Sequence, residues 1–358
     1  MTGDAAEHRT APLDASTAWQ LLCSIRSVAD AGATGAGPAR GADGRWRWRD
    51  ASPEADALAD RYLSLCLAGP LFTFAQLGQS LDGFIASRTG DADFVTGEED
   101  REHLHRLRAL ADAVVVGAGT AVADDPRLTV RACAGANPVR VVIDPYRRVP
   151  RGHQVFTDGS APTLWVVGAD SDRSAAGARS ADEGERARER AREREGLGVG
   201  VEVLALPDRA AFAPHRLVRE LARRGLGRVL VEGGGVTVSR FLRERALHRL
   251  YVTVAPVLLG DGVPGLRFTG PELMRDALRP PTRRSVLGAD TLFELDLRTP
   301  EPGEPGGDEH PGAGQGGGQG QDPVHHGHAQ PLGGAEPGRP EGPGGDTLPG
   351  APAADVQR

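Results

Sequence analysis

Two hydrophobic periods alternate through the middle of the chain. Short apolar, β-branched or aromatic runs predict strands at residues 72–77, 113–116, 139–143, 163–167, 201–205, 228–231 and 250–255. A closing pair is predicted at 284–287 and 291–297, joined by Gly288-Ala289-Asp290, which is short enough for a hairpin. Between the earlier runs the apolar positions recur at helical spacing. Leu104, Leu107, Leu110 and Ala111 lie along one helix face, with Thr96 and Glu99 expected to form a capping box at its start, and residues 214–223 and 236–246 show the same stripe. Strand and helix in alternation, then antiparallel strands, predict an α/β chain with a mixed, mainly parallel sheet covered by helices on both faces.

The texture changes outside this core. Residues 1–69 hold two helix-like segments, around 17–29 and 53–67, separated by a Gly/Ala-rich piece and Trp46-Arg47-Trp48, and are expected to form a cap or an interface. The core is expected over residues 70–298, interrupted at about 170–198 by a charged insertion of Arg, Glu, Ala and Ser. From 299 to 358 the Gly, Pro, Gln, Asp and His composition offers too little apolar surface to offset chain entropy, so a disordered tail is expected. Its His325-His326-Gly327-His328 cluster would hold a metal in no fixed geometry.

Composition narrows the function classes. The 358 residues carry 42 Lys plus Arg against 49 Asp plus Glu, a formal net charge of −7, which argues against a nucleic-acid partner. All the basic residues are Arg, so any cationic anchor must be a guanidinium. Cys23, Cys66 and Cys133 lie far apart without C-x-x-C spacing, supporting neither a disulfide framework nor a zinc ribbon. With no long apolar run and no basic leader, no membrane partner is expected and the cytoplasm is the default location.

Three polar edges carry candidate chemistry. In Arg228-Val-Leu-Val-Glu232-Gly233-Gly234-Gly235-Val236-Thr237 a buried strand enters three glycines and then a helix. Glycines allow close backbone approach, and a new helix points unpaired N–H groups at an anion such as a phosphate. A second edge, Val114-Val-Val-Gly117-Ala-Gly119-Thr120 followed by Asp124-Asp125-Pro126, lacks the last glycine of a dinucleotide fingerprint because Val122 stands there. Two such edges favour a long ligand with internal phosphates lying across the sheet, and metal binding at the Asp pair is disfavoured. The third edge is Gln76-Leu77-Gly78-Gln79-Ser80-Leu81-Asp82-Gly83, where Asp82 serves either a turn or a substrate. Arg108 ends the helix after it, and Arg127 and Arg131 flank Leu128-Thr129-Val130.

Taken in order, Ser80-Leu81-Asp82-Gly83, Arg106-Leu107-Arg108-Ala109, Gly117-Ala118-Gly119-Thr120, Asp124 through Arg131, Val142-Ile143-Asp144 and Glu232-Gly233-Gly234-Gly235 resemble the reductase of riboflavin biosynthesis, a dihydrofolate-reductase-like family. The resemblance covers about residues 70–298 and implies a three-layer fold, NADPH as cofactor, a pyrimidine ribosyl phosphate as substrate and a homodimer. It implies that Gly78, Phe94, Thr120, Asp124 and the stretch Gly234, Gly235, Val236, Thr237 up to Arg240 line the cofactor site. Arg108, Leu128, Arg131 and Glu232 would face the pyrimidine phosphate, with Glu232 and Asp82 in catalytic roles and Pro145 and Arg148 near the adenosine phosphate. The reaction implied is hydride transfer to C1′ of an opened ribosylamine, with Glu232 supporting the iminium or the pyrimidine and Asp82 the sugar.

Phe94 stands where the bacterial bifunctional enzymes usually carry Trp, Ala92 where they often carry Ser, and Gln76 where they carry Lys. A neutral amide at position 76 is closer to the archaeal and fungal stand-alone reductases, which leaves open whether the substrate is taken before or after deamination. No zinc deaminase motif is present. The alternatives are an NADPH reductase of the same fold acting on another imine or carbonyl, and a nucleotide-binding relative without turnover.

Overall fold

The computed structural model describes residues 11–93, 95–169 and 197–298, all within one compact unit. Phe94, most of the charged insertion and the tail with its histidines lie outside the described residues.

The chain opens with α1 (Ala15–Ser24), α2 (Val28–Ala33), a small ribbon of β1 (Ala39–Arg40) and β2 (Trp46–Arg47), and α3 (Pro53–Cys66). The single helix expected at 17–29 is instead two. Ile25 leaves helical geometry at ψ 118, and Ser27 caps a new helix by accepting from the Asp30 N–H. Ser52 caps α3 with Pro53 in its first turn, a combination that suits a helix start.

The core then runs β3 (Phe72–Ser80), β4 (Phe84–Ala86), α4 (Glu98–Leu110), β5 (Ala113–Gly117), α5 (Ala118–Asp124), β6 (Val139–Asp144), α6 (Gln154–Thr157), β7 (Thr163–Gly168) and β8 (Val201–Leu206). It closes with α7 (Pro214–Arg223), β9 (Arg228–Val231), α8 (Gly235–Arg243), β10 (Arg249–Ala255), β11 (Val263–Pro264), β12 (Thr282–Leu287) and β13 (Asp290–Asp296). Nine strands form one sheet in the order β12-β13-β10-β3-β9-β5-β6-β7-β8; β10 through β8 are parallel and the terminal hairpin is antiparallel. This is the mixed, mainly parallel α/β architecture with a closing antiparallel hairpin that the sequence predicts.

Alternation along the strands assigns the two faces. Phe72, Phe74, Val114, Val116, Leu230 and Tyr251 join one core beneath α1, α3 and α4, whereas Ala75, Leu77, Val115, Val229, Val231 and Val252 join another beneath α7 and α8. Strand β9 enters late, between β3 and β5, and β10 then takes the far side of β3. The progress of the chain reverses there, so the carboxyl ends of β5, β9 and β3 meet at a switch point, the place where open α/β sheets bind ligands.

The N-terminal helices are fastened into this body. The buried Arg228 guanidinium donates to the carbonyls of Ile25, Arg26 and Cys66, satisfying helix ends that would otherwise be orphaned. Arg249 donates to Ser64 at 2.8 Å, and Arg283 pairs with Asp60 at 2.8 Å. Residues of α1 and α3 belong to the same buried core as the sheet.

Helix α4 corrects one expectation. Its N-cap is Gly97 with no side-chain cap, so Thr96 and Glu99 form no capping box. The Gly97 N–H donates instead to Asp290 at 2.7 Å, a partner 193 positions away. The helix α5 was likewise not expected, because Gly117 and Gly119 read as a loop; Gly117 is its N-cap.

Candidate active site

The triple-glycine corner continues β9. The Glu232 N–H donates to the Val115 carbonyl at 2.9 Å, extending the parallel pairing by one residue before the chain turns. Gly233 turns it at φ 100, and a Cβ at that position would meet the Thr120 hydroxyl at 2.8 Å. The Gly234 N–H donates to that same hydroxyl at 2.8 Å. A Cβ on Gly235 would overlap the Gly265 carbonyl oxygen. On the neighbouring strand, a Cβ on Gly117 would lie 2.5 Å from the Thr237 hydroxyl. The two corners therefore interlock, each threonine filling space that a glycine of the other leaves. The first turn of α8 has neither an acidic residue nor a side-chain cap, and Val236 there is 86% exposed. Its first N–H groups and the positive end of its dipole fit an anionic group.

Beside this corner stands a buried ion pair. Arg108, from the last turn of α4, donates Nε to Glu232 Oε1 at 2.8 Å and Nη2 to Oε2 at 2.7 Å, and both side chains are buried. Burial opposes charge on Arg108, but the Glu232 carboxylate outweighs it and the guanidinium pKa is raised. The remaining Nη1 donates to the Thr129 carbonyl at 3.0 Å.

Thr129 belongs to a loop with unusual backbone. Leu128 is 2% exposed and sits at φ 54, a left-handed conformation that costs a branched side chain about 1–3 kcal/mol. The surrounding bonds hold it: the Val130 N–H donates to Asn137 at 2.7 Å, and the Arg131 N–H to His105 Nδ1 at 2.9 Å. Arg131 donates to the Thr129 hydroxyl and has no carboxylate partner among the described residues. Desolvation and the positive charges of Arg108 and Arg127 lower its pKa, so the loop carries surplus positive potential.

Gln76 on β3 lies one register step past the Ala75–Val231 pair, at the level of Glu232. Its Nε2 donates to both oxygens of Asp100 at 3.3 Å, and Thr253 donates to Asp100 Oδ1 at 2.5 Å. Burial pushes the Asp100 pKa up, and bonds from Thr253, Thr96 and Gln76 offset this only in part. Gly78 is required here, since a Cβ would meet Thr96 Cγ2 at 2.8 Å.

Other expected site residues are engaged elsewhere. Asp82 accepts from Ser80 Oγ at 2.5 Å and from the N–H groups of Leu259 and Gly260, bonds that keep its carboxyl below the usual range. It closes the turn and ties down the loop after β10. Asp124 ends α5 exposed to solvent, and Asp125, at φ 39, accepts from the Gln154 N–H at 2.7 Å and pins α6. Arg148 follows β6 with its side chain exposed and its N–H bonded to Asp144, while Pro145 lies between them and its carbonyl accepts from the Gly168 N–H.

Two residues that the sequence reading passed over are buried histidines of α4. His103 accepts or donates to the Tyr62 hydroxyl at 2.8 Å, and His105 supports the Arg131 loop. Burial takes His103 down to about 3 and His105 down to about 4. Below the ordinary value of 6.5, the unfolded chain takes up protons that the folded chain refuses, so stability is lost as pH falls. The unfolding free energy should drop by on the order of several kcal/mol between about pH 6.5 and 4, measured by denaturant titration at a series of pH values. Asp100 acts in the opposite sense above its ordinary 3.8, so the comparison with His103→Gln, which should flatten the slope, isolates the histidine.

Comparison with known proteins places these features in a family. The family model described as the RibD C-terminal domain matches residues 72–283. The 2,5-diamino-6-ribosylamino-4(3H)-pyrimidinone 5′-phosphate reductase of Methanothermobacter thermautotrophicus is 33% identical over 233 residues, covering 63% of this chain and 98% of that protein. The riboflavin biosynthesis protein RibD of Aquifex aeolicus is 32% identical over 186 residues, covering 52% of this chain but 46% of its own length, so the chain spans about half of that relative. Acinetobacter baumannii RibD shares the fold at TM-score 0.50 and 23% identity, over 68% of this chain and 62% of that one. Since the matched span contains the glycine corners, the Arg108–Glu232 pair and the Arg131 loop together, the chain belongs to the RibD C-terminal domain family.

Proposed function

We propose that the chain is an NADPH-dependent reductase of riboflavin biosynthesis, converting the ribosylamino group of a pyrimidine 5′-phosphate to ribitylamino. The observation that carries this reading is the pair of interlocked corners, with Thr120 holding the Gly234 N–H, set against the Arg108–Glu232 pair. A reduced nicotinamide cofactor bound at the corners would supply the hydride. Gly235 and Val236 at the start of α8 offer backbone N–H groups for it, between Gly234 and Thr237, whose N–H groups go to the Thr120 hydroxyl and the Gly234 carbonyl, with Gly78, Thr120 and Asp124 at its edges.

The chain's own residues then divide the work. Arg108 engages both oxygens of Glu232 and so fixes the plane of the carboxylate, which supports positive charge developing at C1′ and nitrogen of the opened ribosylamine. Arg131, with no ion-paired carboxylate among the described residues, takes the 5′-phosphate, while the buried Leu128 shapes the loop that carries it. Asp82 acts by anchoring the 259–260 loop. Asp100 draws the amide nitrogen of Gln76 toward itself, leaving Oε1 as a free acceptor, which suits a ring amino group and therefore the pyrimidine before deamination. Residues 70–298 form the reductase domain of a cytoplasmic homodimer in this proposal. Among the described residues no helix is long and apolar enough to cross a membrane.

Turnover of the aminated and deaminated pyrimidine substrates side by side, followed by NADPH absorbance, tests the proposal. Consumption with the aminated compound at the higher kcat/KM is expected. Cofactor binding without consumption on either compound would overturn the assignment.

A further inference from the structure

Among the described residues of the N-terminal segment, 11–69, none lies at the glycine corners, yet the segment reaches the loop that carries Arg131. Trp19 of α1 is buried, and its Nε1–H donates to the Ala134 carbonyl at 2.7 Å, across 115 positions of sequence. Its ring is held in place from two sides. The Tyr62 ring meets it edge-on at 5.7 Å, and the Arg106 guanidinium lies 5.5 Å from its centroid. One residue past Ala134, Gly135 sits at φ 152, where a Cβ would come within 2.5 Å of the Ala109 methyl. The loop is thus seated on α4 at Gly135, pinned to α4 again by the Arg131 N–H on His105, and hooked from outside by Trp19.

We propose that Trp19 is a positioning residue for the phosphate-binding loop, and that residues 11–69 act as a brace keeping Arg131 turned toward the substrate phosphate. This rests on the reading of Arg131 as the phosphate ligand. Leu128, two residues before Val130, is held in a costly left-handed conformation. Such a conformation persists only where surrounding contacts over-determine it. Arg108, His105 and Asn137 hold the near side of the loop, and Trp19 supplies the contact on the far side. Among the described residues the Thr129 hydroxyl is the one hydrogen-bond partner of the Arg131 side chain, so its placement follows the backbone.

The test is Trp19→Phe in the full chain, which keeps an aromatic ring between Tyr62 and Arg106 but removes the N–H donor. Loss of one buried positioning bond should raise KM for the phosphorylated pyrimidine about 5- to 10-fold, with kcat and NADPH affinity unchanged. The same pyrimidine without its 5′-phosphate should be handled equally by the variant and the parent protein. Amide exchange should speed up at residues 128–136 and stay unchanged at β5. Equal KM increases for the phosphorylated and phosphate-free compounds, or unchanged exchange in the loop, would overturn the brace. If the parent protein turns over neither pyrimidine, the functional reading fails by itself, and the exchange measurement still decides whether Trp19 holds the loop.

Discussion

Arg108→Met should lower the unfolding free energy by about 3–5 kcal/mol, because it leaves the Glu232 carboxylate buried without its cation. The pair is desolvated on both sides, with side-chain exposures of 9% and 6%, so water cannot replace the lost donors. The variant also frees the Thr129 carbonyl, loosening the loop that holds Leu128 and Arg131. A double replacement separates these contributions. Arg108→Met with Glu232→Leu removes both charges, and most of the lost stability should return, since an apolar pair of similar volume is often as stable as a buried ion pair. Activity should not return in either variant. Guanidinium chloride titrations of the parent, the single and the double variant measure the effect; a single variant within about 1 kcal/mol of the parent would show that the pair is not buried in solution as it is here.

Glu232→Gln should lower kcat/KM by about 10²- to 10⁴-fold while the NADPH dissociation constant stays near its parent value. The amide keeps the shape of the carboxylate but loses its charge, and it offers one acceptor where Arg108 presents two donors. Stability should fall as well, because the buried Arg108 guanidinium loses its anion, but less than in Arg108→Met, since the amide oxygen still accepts from one of its N–H groups and the Thr129 carbonyl from another. The separation between a large kinetic loss and a small change in cofactor affinity distinguishes a group acting on the substrate from one that merely builds the cofactor corner. Full turnover at saturating substrate would remove Glu232 from the reaction.

Much of this site was legible along the chain, for identifiable reasons. Glycines at Gly117, Gly233, Gly234 and Gly235 follow apolar runs, and backbone that must turn sharply against a neighbouring side chain leaves that mark in any sequence. Arg108 and Glu232 were both visible as candidates, but not as partners, since 124 positions separate them and only the insertion of β9 between β3 and β5 brings the end of one to the other. Asp82 illustrates a local pattern with two meanings. An Asp-Gly turn looks the same whether its carboxylate serves a ligand or the backbone N–H groups of Leu259 and Gly260.

The polar residues of α4 show where periodicity fails. Leu107 and Leu110 mark one buried face, yet Asp100, His103, His105 and Arg108 are buried as well. An amphipathic pattern assumes that one side of a helix meets water. Here the polar residues meet protein instead: Tyr62 of α3 stacks on His103, Asp100 accepts from Gln76 and Thr253, His105 accepts from the Arg131 N–H, and Arg108 pairs with Glu232. Those partners lie 24 to 153 positions away along the chain, which no window of local sequence contains.

By itself, then, the sequence determined the alternation of strands and helices, the two-faced sheet and the positions of the glycine corners, because steric limits on the backbone and the periods of apolar residues act over a few neighbouring positions. Only the tertiary structure decided which strands became neighbours, that Arg108 would be committed to Glu232, that Leu128 would be held at positive φ, and that the N-terminal helices would brace the Arg131 loop. Those outcomes come from long-range burial, in which a charge or a strained residue is stabilised by groups that the chain brings together only on folding.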